Sequence, residues 1–229
     1  MNVSTLDTQS EFLTILDKEL THLNNTEEFF KYLYDTQNSV EQLLGSKRKL
    51  TGVYFTGQLI AKQMIEEIVG ELSKIKILNY DFFEPCHGCG VFIFEYLEQL
   101  KKFKFTKNEY KKILQNIYGA ESSDFISAIF IRLYKKYCDL SFEINIDELN
   151  IIKNFKGSLL FDLSQDEMTY HNIDSVFGRK FDIIVTNPPY KNLKAEIAHF
   201  ETEHLKELEK RKYEYIKKYV KKNLALSSV

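Results

Sequence analysis

Residues 181–190 read FDIIVTNPPY, and this stretch limits the fold more than any other. Phe181, Ile183, Ile184 and Val185 make a short, nearly continuous apolar run, the pattern of a strand buried in a parallel sheet. The run stops at Asn187-Pro188-Pro189-Tyr190. Two successive prolines donate no backbone N–H and cannot continue a central strand. The chain therefore leaves the sheet at its carboxyl edge, where open α/β sheets bind ligands. A planar amide, Asn187, and a planar phenol, Tyr190, are set down at that edge. A strand followed by a polyproline turn explains the same four residues without any chemistry, so the rest of the chain has to decide.

The chain offers 229 residues, enough for one domain or a domain with an appendage. Apolar residues make up 44 % and aromatic residues 14 %, which supports a real core. A net charge of −2 does not mark a nucleic-acid binder, but the first 45 residues are acidic and the segment after Tyr190 is basic. Three cysteines, two in one short loop, argue against a disulfide framework and suit a reducing cytoplasm. The sequence shows no signal peptide and no apolar run long enough to span a bilayer, so no membrane role is expected.

Taken in order, residues 1–50 read as a helical N-terminal region. Phe12, Leu13, Ile15, Leu16, Leu20 and Leu23 recur at helical spacing, and Asn25-Thr26 before Glu27-Glu28 is a cap for a second helix carrying Phe29, Phe30, Tyr32 and Leu33. Residues 51–69, TGVYFTGQLIAKQMIEEIV, predict a helix capped by Thr56, with Leu59, Ile60, Met64, Ile65 and Ile68 inward. Residues 81–92, DFFEPCHGCGVF, predict the first strand, ended by Glu84-Pro85. Gly88 and Gly90 then form a turn tight enough for a ligand to approach backbone, and the free N–H groups of a helix over 91–100 face it. Residues 116–122, NIYGAES, predict a second strand ending on Glu121, an acid placed as the ribose-binding acid is in dinucleotide folds. An amphipathic helix follows over 125–137, and residues 151–162 should hold a third strand with Asp162 just past it.

The loop admits two other readings, and both fail on counting. Cys86-His87-x-Cys89 falls short of the four ligands a structural zinc site needs, and Cys138 lies far along the chain in a helix, so no metal is expected. Pro85-Cys86 would be misplaced as a cysteine nucleophile, because it sits in the glycine loop rather than after the fourth strand.

An exocyclic amine conjugated to a purine is a poor nucleophile until acceptors on its hydrogens draw it toward a tetrahedral shape. Asn187 Oδ1 and the Pro188 carbonyl could be such acceptors, with Pro189 stiffening the turn and Tyr190 stacking on a base removed from its helix. The stretch resembles the NPPY motif of amino-methyltransferases that use S-adenosylmethionine. The segment GVYFTG resembles their motif X, with Gly57 where the family commonly has Pro. EPCHGCGVF resembles their motif I, with His87 and Cys89 where Cys and Ser are usual. The order of helix, glycine loop, Glu121, Asp162 and NPPY is similar to that of bacterial DNA adenine-N6 methyltransferases of restriction–modification systems. That resemblance implies a Rossmann-like S-adenosylmethionine-dependent methyltransferase core over 51–190, an α/β fold. It implies donor binding by Thr56, Glu84, Gly88, Gly90, Phe92, Glu121 and Asp162, and catalysis by Asn187, Pro188, Pro189 and Tyr190. Where the family shows Gly-Asp, this chain has Gly157-Ser158.

After Tyr190, residues 191–229 read as one charged C-terminal helix with a stripe of Leu205, Leu208, Ile216, Tyr219 and Val220. The family would continue through further strands and a target-recognition domain. The expectation is therefore an incomplete sheet that acts on DNA together with a second chain or a missing C-terminal region. The alternatives are a truncated or split subunit that binds donor without catalysis, and an enzyme methylating a protein glutamine or an RNA base, since NPPY occurs there too.

Overall fold

The structure, a computed structural model, describes residues 9–45, 54–121, 123–157 and 180–187. Two helices open it. α1 (Gln9–Leu20) buries Phe12, Leu16 and Leu20 on one stripe. α2 (Thr26–Leu44) begins where the sequence predicts: the Glu28 backbone N–H donates to Asn25 Oδ1 at 2.9 Å, and the Glu28 carboxylate accepts from the Asn24 N–H at 2.9 Å. These two bonds satisfy donors that a helix start leaves free.

α3 (Gln58–Gly70) departs from expectation in two ways. Its N-cap is Gly57, which offers no side chain, and the Thr56 hydroxyl is used elsewhere. Its buried residues are Ala61, Ile65 and Val69, while Leu59 is 68 % and Ile60 57 % exposed and Met64 is also outward. Apolar residues lie on more than one side of this helix, so periodicity alone could not pick the face that docks. The docked face meets α5 (Val91–Leu100), which is buried almost all round.

The core alternates strands and helices. A short helix α4 (Lys74–Ile77) leads into β1 (Phe82–Glu84); then come α5, a 3₁₀ turn (Lys101–Phe103), α6 (Lys107–Gln115) and β2 (Ile117–Glu121). α7 (Asp124–Phe142) and a second 3₁₀ turn (Ile151–Asn154) lead to β3 (Phe155–Gly157), and β4 (Ile183–Ile184) closes the described set. The four strands form one parallel sheet in the order β3-β2-β1-β4. Strands one and two and the helix from Val91 match the sequence reading, and the third strand falls inside its predicted window. The strand expected over 181–185 is shorter: the ladder covers Ile183 and Ile184, with Val185 N–H still donating to Phe83 O at 3.1 Å. Ile183 and Val185 are buried, but Ile184 is 60 % exposed, so this strand alternates instead of burying both sides.

Aromatic side chains bind these layers together. Phe82 stacks on Tyr96 of α5 at 4.5 Å, so one face of β1 is covered by the helix that follows it. On the other face Phe83 stacks on Phe181 at 4.5 Å, and Tyr118 meets Phe181 edge-on at 5.4 Å. Phe94 of α5 touches Phe29 of α2 and Phe130, Tyr134 and Tyr137 of α7, which draws the N-terminal helices into the same core. No helix among the described residues is long and apolar enough to cross a membrane. Asp162, Pro188, Pro189, Tyr190 and the helix read over 191–229 lie outside the described residues.

Candidate active site

From β1 the chain crosses to β2 and β3 on one side, whereas β4 arrives on the other. The strand order therefore reverses between β1 and β4, and in open parallel sheets the ligand crevice lies outside the carboxyl ends at that reversal. Register fixes what meets there. Phe82 pairs with Ile183 and Phe83 with Ile184, which brings Glu84 and the turn after it beside Val185, Thr186 and Asn187. Glu84 pairs with Gly119 on the opposite side, so Glu121 stands two residues further out at the end of β2.

The turn between β1 and α5 is fixed by its own backbone. His87 N–H donates to Ala120 O at 3.0 Å and Gly90 N–H donates to His87 O at 2.7 Å. Gly88 and Gly90 both have positive φ, +54° and +89°, a region L-residues avoid. Their missing side chains serve different purposes. A Cβ on Gly90 would stand 2.5 Å from the Phe130 ring, so this glycine lets the turn close onto the core. A Cβ on Gly88 would face the Phe55 ring at 3.2 Å. The Cβ direction of Gly90 points inward to Phe130, so here the lack of a side chain also serves packing. Phe92, in the first turn of α5, is likewise buried.

Glu121 holds the turn from β2. Its Oε2 accepts from Gly88 N–H at 3.1 Å and its Oε1 from Ser123 N–H at 2.9 Å. Glu84 is buried beneath the turn, and its Oε2 has no partner among the described residues. Burial pushes its carboxyl well above the ordinary range; the Ile93 N–H in the first turn of α5 pulls it down, and Glu121 pushes it up again. His87 is buried against Phe130, with Nδ1 2.8 Å from Gly88 O. Since that carbonyl only accepts, Nδ1 carries the proton and Nε2 is an acceptor, unpartnered among the described residues. Desolvation holds this imidazole neutral, pushed down to about 4. Burial raises the Cys86 thiol and also raises Cys89, so neither is poised as a nucleophile. No group of three or more His, Cys, Asp or Glu among the described residues could hold a metal ion.

Asn187 faces this turn from β4. Its Nδ2 donates to Tyr54 O at 3.3 Å and to Thr56 Oγ1 at 3.1 Å. A backbone carbonyl cannot donate, so the nitrogen must be the atom turned toward Tyr54, and both amide hydrogens are used. What the side chain presents to a ligand is Oδ1. The structure thus brings Thr56, Glu84, Gly88, Glu121 and Asn187 together at the carboxyl end of the sheet. It also adds two groups not singled out from sequence, Phe55 and the Tyr54 carbonyl. Phe55 stands inside the segment GVYFTG, and an aromatic ring beside a glycine turn was the available signal.

A family model described as N-6 DNA Methylase matches residues 38–225. Among solved structures, the chain is similar to a modification subunit assigned to a type I restriction enzyme from Vibrio vulnificus YJ016, at 22 % identity and a TM-score of 0.40. That match covers 74 % of this chain and 30 % of the other, so the chain spans about 30 % of the length of the structure it matches. A comparison with curated proteins gave no match. One family match thus runs through the segment before α3, the glycine turn, both acidic strand ends and Asn187, and the chain belongs to the N-6 DNA methylase family.

Proposed function

We propose that this chain carries the methyl-transfer site of a site-specific DNA methyltransferase, which moves a methyl group from S-adenosylmethionine to N6 of an adenine turned out of the duplex, within a restriction–modification system. The observation that carries this reading is the orientation of Asn187. With both Nδ2 hydrogens engaged by Tyr54 and Thr56, Oδ1 is the acceptor offered to a target amine.

The residues at the crevice fit the donor. Two buried polar atoms, Glu84 Oε2 and His87 Nε2, lack partners at the turn, and buried polar groups normally have them. Glu121 stands at the carboxyl end of β2, bonded to the glycine turn, where a carboxylate can meet the ribose of the donor. Gly90 is the N-cap of α5 and offers no side chain, so the first turn of the helix is not closed off by a capping group. Thr56, Glu84, Gly88, Gly90, Phe92 and Glu121 would hold S-adenosylmethionine, Gly90 and Phe92 by shaping the turn from inside, and Asp162 is the acid we assign to its adenine end. When bound, the donor supplies a methyl group activated by its sulfonium. Asn187 Oδ1 and the Pro188 carbonyl accept the two hydrogens of the target amine and free its lone pair. Pro189 stiffens that carbonyl, and Tyr190 stacks on the extruded base. Residues 51–190 would form this Rossmann-like core, closed by the helices of 1–50. Sequence choice on duplex DNA needs side chains in a groove, which we assign to a second chain or a further region outside the described residues.

Two measurements test the proposal in order. Calorimetry with the folded chain should detect S-adenosylmethionine or its demethylated product; no binding at millimolar donor would sink the reading. Transfer of labelled methyl to mixed-sequence DNA should be lost in Asn187→Ala while donor binding stays nearly unchanged. Equal loss of both would show that the amide belongs to the donor site.

A further inference from the structure

The segment before α3 lies between the two halves of the crevice. The Phe55 ring stands where a Cβ on Gly88 would meet it at 3.2 Å, which seats the segment on the glycine turn. On either side of Phe55, the Tyr54 carbonyl and the Thr56 hydroxyl take the two hydrogens of Asn187 across a separation of more than 130 residues. A free asparagine amide presents oxygen or nitrogen to a ligand with little preference, and only the oxygen can accept from an amine. One acceptor would leave the amide free to swing about that bond, whereas two fix its plane. Thr56 does not cap α3, because Gly57 holds that position, so its hydroxyl is available for this task.

Resting on the methyl-transfer reading, we propose that Thr56 is a positioning residue for Asn187. Its hydroxyl, with the Tyr54 carbonyl, locks the amide with Oδ1 facing the target amine, and the glycine turn holds the lock in place through Phe55. The segment that Phe55 seats on the glycine turn therefore also sets the geometry of the acceptor for the target.

The test does not need an active enzyme. In the chain labelled with nitrogen-15, the side-chain amide pair of Asn187 is identified by its disappearance in Asn187→Asp. In the wild type this pair should be protected from exchange with water. In Thr56→Val, of nearly equal volume, exchange should rise about two- to tenfold, the range that one neutral hydrogen bond commands. Thr56→Ser should restore protection, and Thr56→Ala repeats the loss should valine fit badly. An Asn187 pair exchanging as fast as an exposed asparagine overturns the proposal, and so does one indifferent to Thr56→Val. Loss of donor affinity with the Asn187 pair unmoved would assign Thr56 to the donor alone and overturn it as well. Methyl transfer that survives Asn187→Ala would instead sink the reading of the site and leave the amide measurement standing.

Discussion

At His87 the physical chemistry of one side chain sets a pH dependence. Its folded pKa is about 4 against an ordinary 6.5, because burial disfavours the charged ring. Between those values the unfolded chain binds a proton that the folded chain refuses. The stability this group contributes is full above 6.5 and falls as pH drops toward 4, by about 3–4 kcal/mol at about 1.4 kcal/mol per unit. Glu84 works in the opposite sense: its raised pKa gives stability that is full below 4.5 and is lost as pH rises through the folded value. Because the two contributions oppose each other, the test is the difference between variants: across this interval the urea midpoint of His87→Leu should fall more steeply with pH, or rise less, than that of the wild type. An unchanged slope would mean another group carries it. The two glycines of the turn make a second contrast. Gly90→Ala places a methyl against Phe130 at positive φ and should cost about 2–5 kcal/mol. Gly88→Ala meets only the edge of the Phe55 ring and should cost about 1–2 kcal/mol, with a larger relative effect on donor binding. Thermal unfolding and calorimetry on the pair check this.

At the scale of elements, the helix starts show what a sequence can and cannot reveal. Asn25 and Thr106 cap their helices as local chemistry dictates; Thr106 and Glu109 form a full capping box at the start of α6. Thr106→Ala should therefore cost about 1 kcal/mol. Thr56 looks equally local, yet its oxygen is taken by an amide 131 residues away, and the helix starts one residue later on an uncapped Gly57. Position 57 has an ordinary φ of −68° and open space where a Cβ would go. Gly57→Ser should thus raise stability by about 0.5–1 kcal/mol, through a cap and a less flexible unfolded chain, and a higher melting temperature by circular dichroism would show it. The same distinction governs the site. The glycine turn, the helix from Val91 and Glu121 at the end of β2 were legible, because each follows from neighbours within a few residues. The inward face of α3, the packing of Gly90 against Phe130 and the partners of Asn187 were not, because each is decided by a part of the chain far away: α5, Phe130 and Tyr54.

For the whole molecule, the aromatic junction at Phe94 matters most. It is fully buried and touches α2 and α7 at once, so the N-terminal helices and the sheet share one core. Phe94→Ala should cost about 3–5 kcal/mol, in the range for deleting a buried ring. Signals from α1 and α2 and from the sheet should fall together in one transition. Separate melting of a helical part, followed by spectroscopic probes placed in each region, would show the junction to be weaker than its packing implies.

The pairing of β4 with β1 also bears on the order in which the chain folds. Asp81 N–H donates to Asp182 Oδ2 at 2.8 Å across 101 residues, and the ladder beyond it is only two residues long. Closing so large a loop is entropically costly and its return is small, so this contact should form late. The helical core around Phe94 rests on shorter separations and can form first. Asn187 would then reach its place only in the last step, and a newly made chain could be compact for some time before its crevice exists. Pulsed hydrogen exchange during refolding should protect the amide of Phe94 before those of Ile183 and Val185.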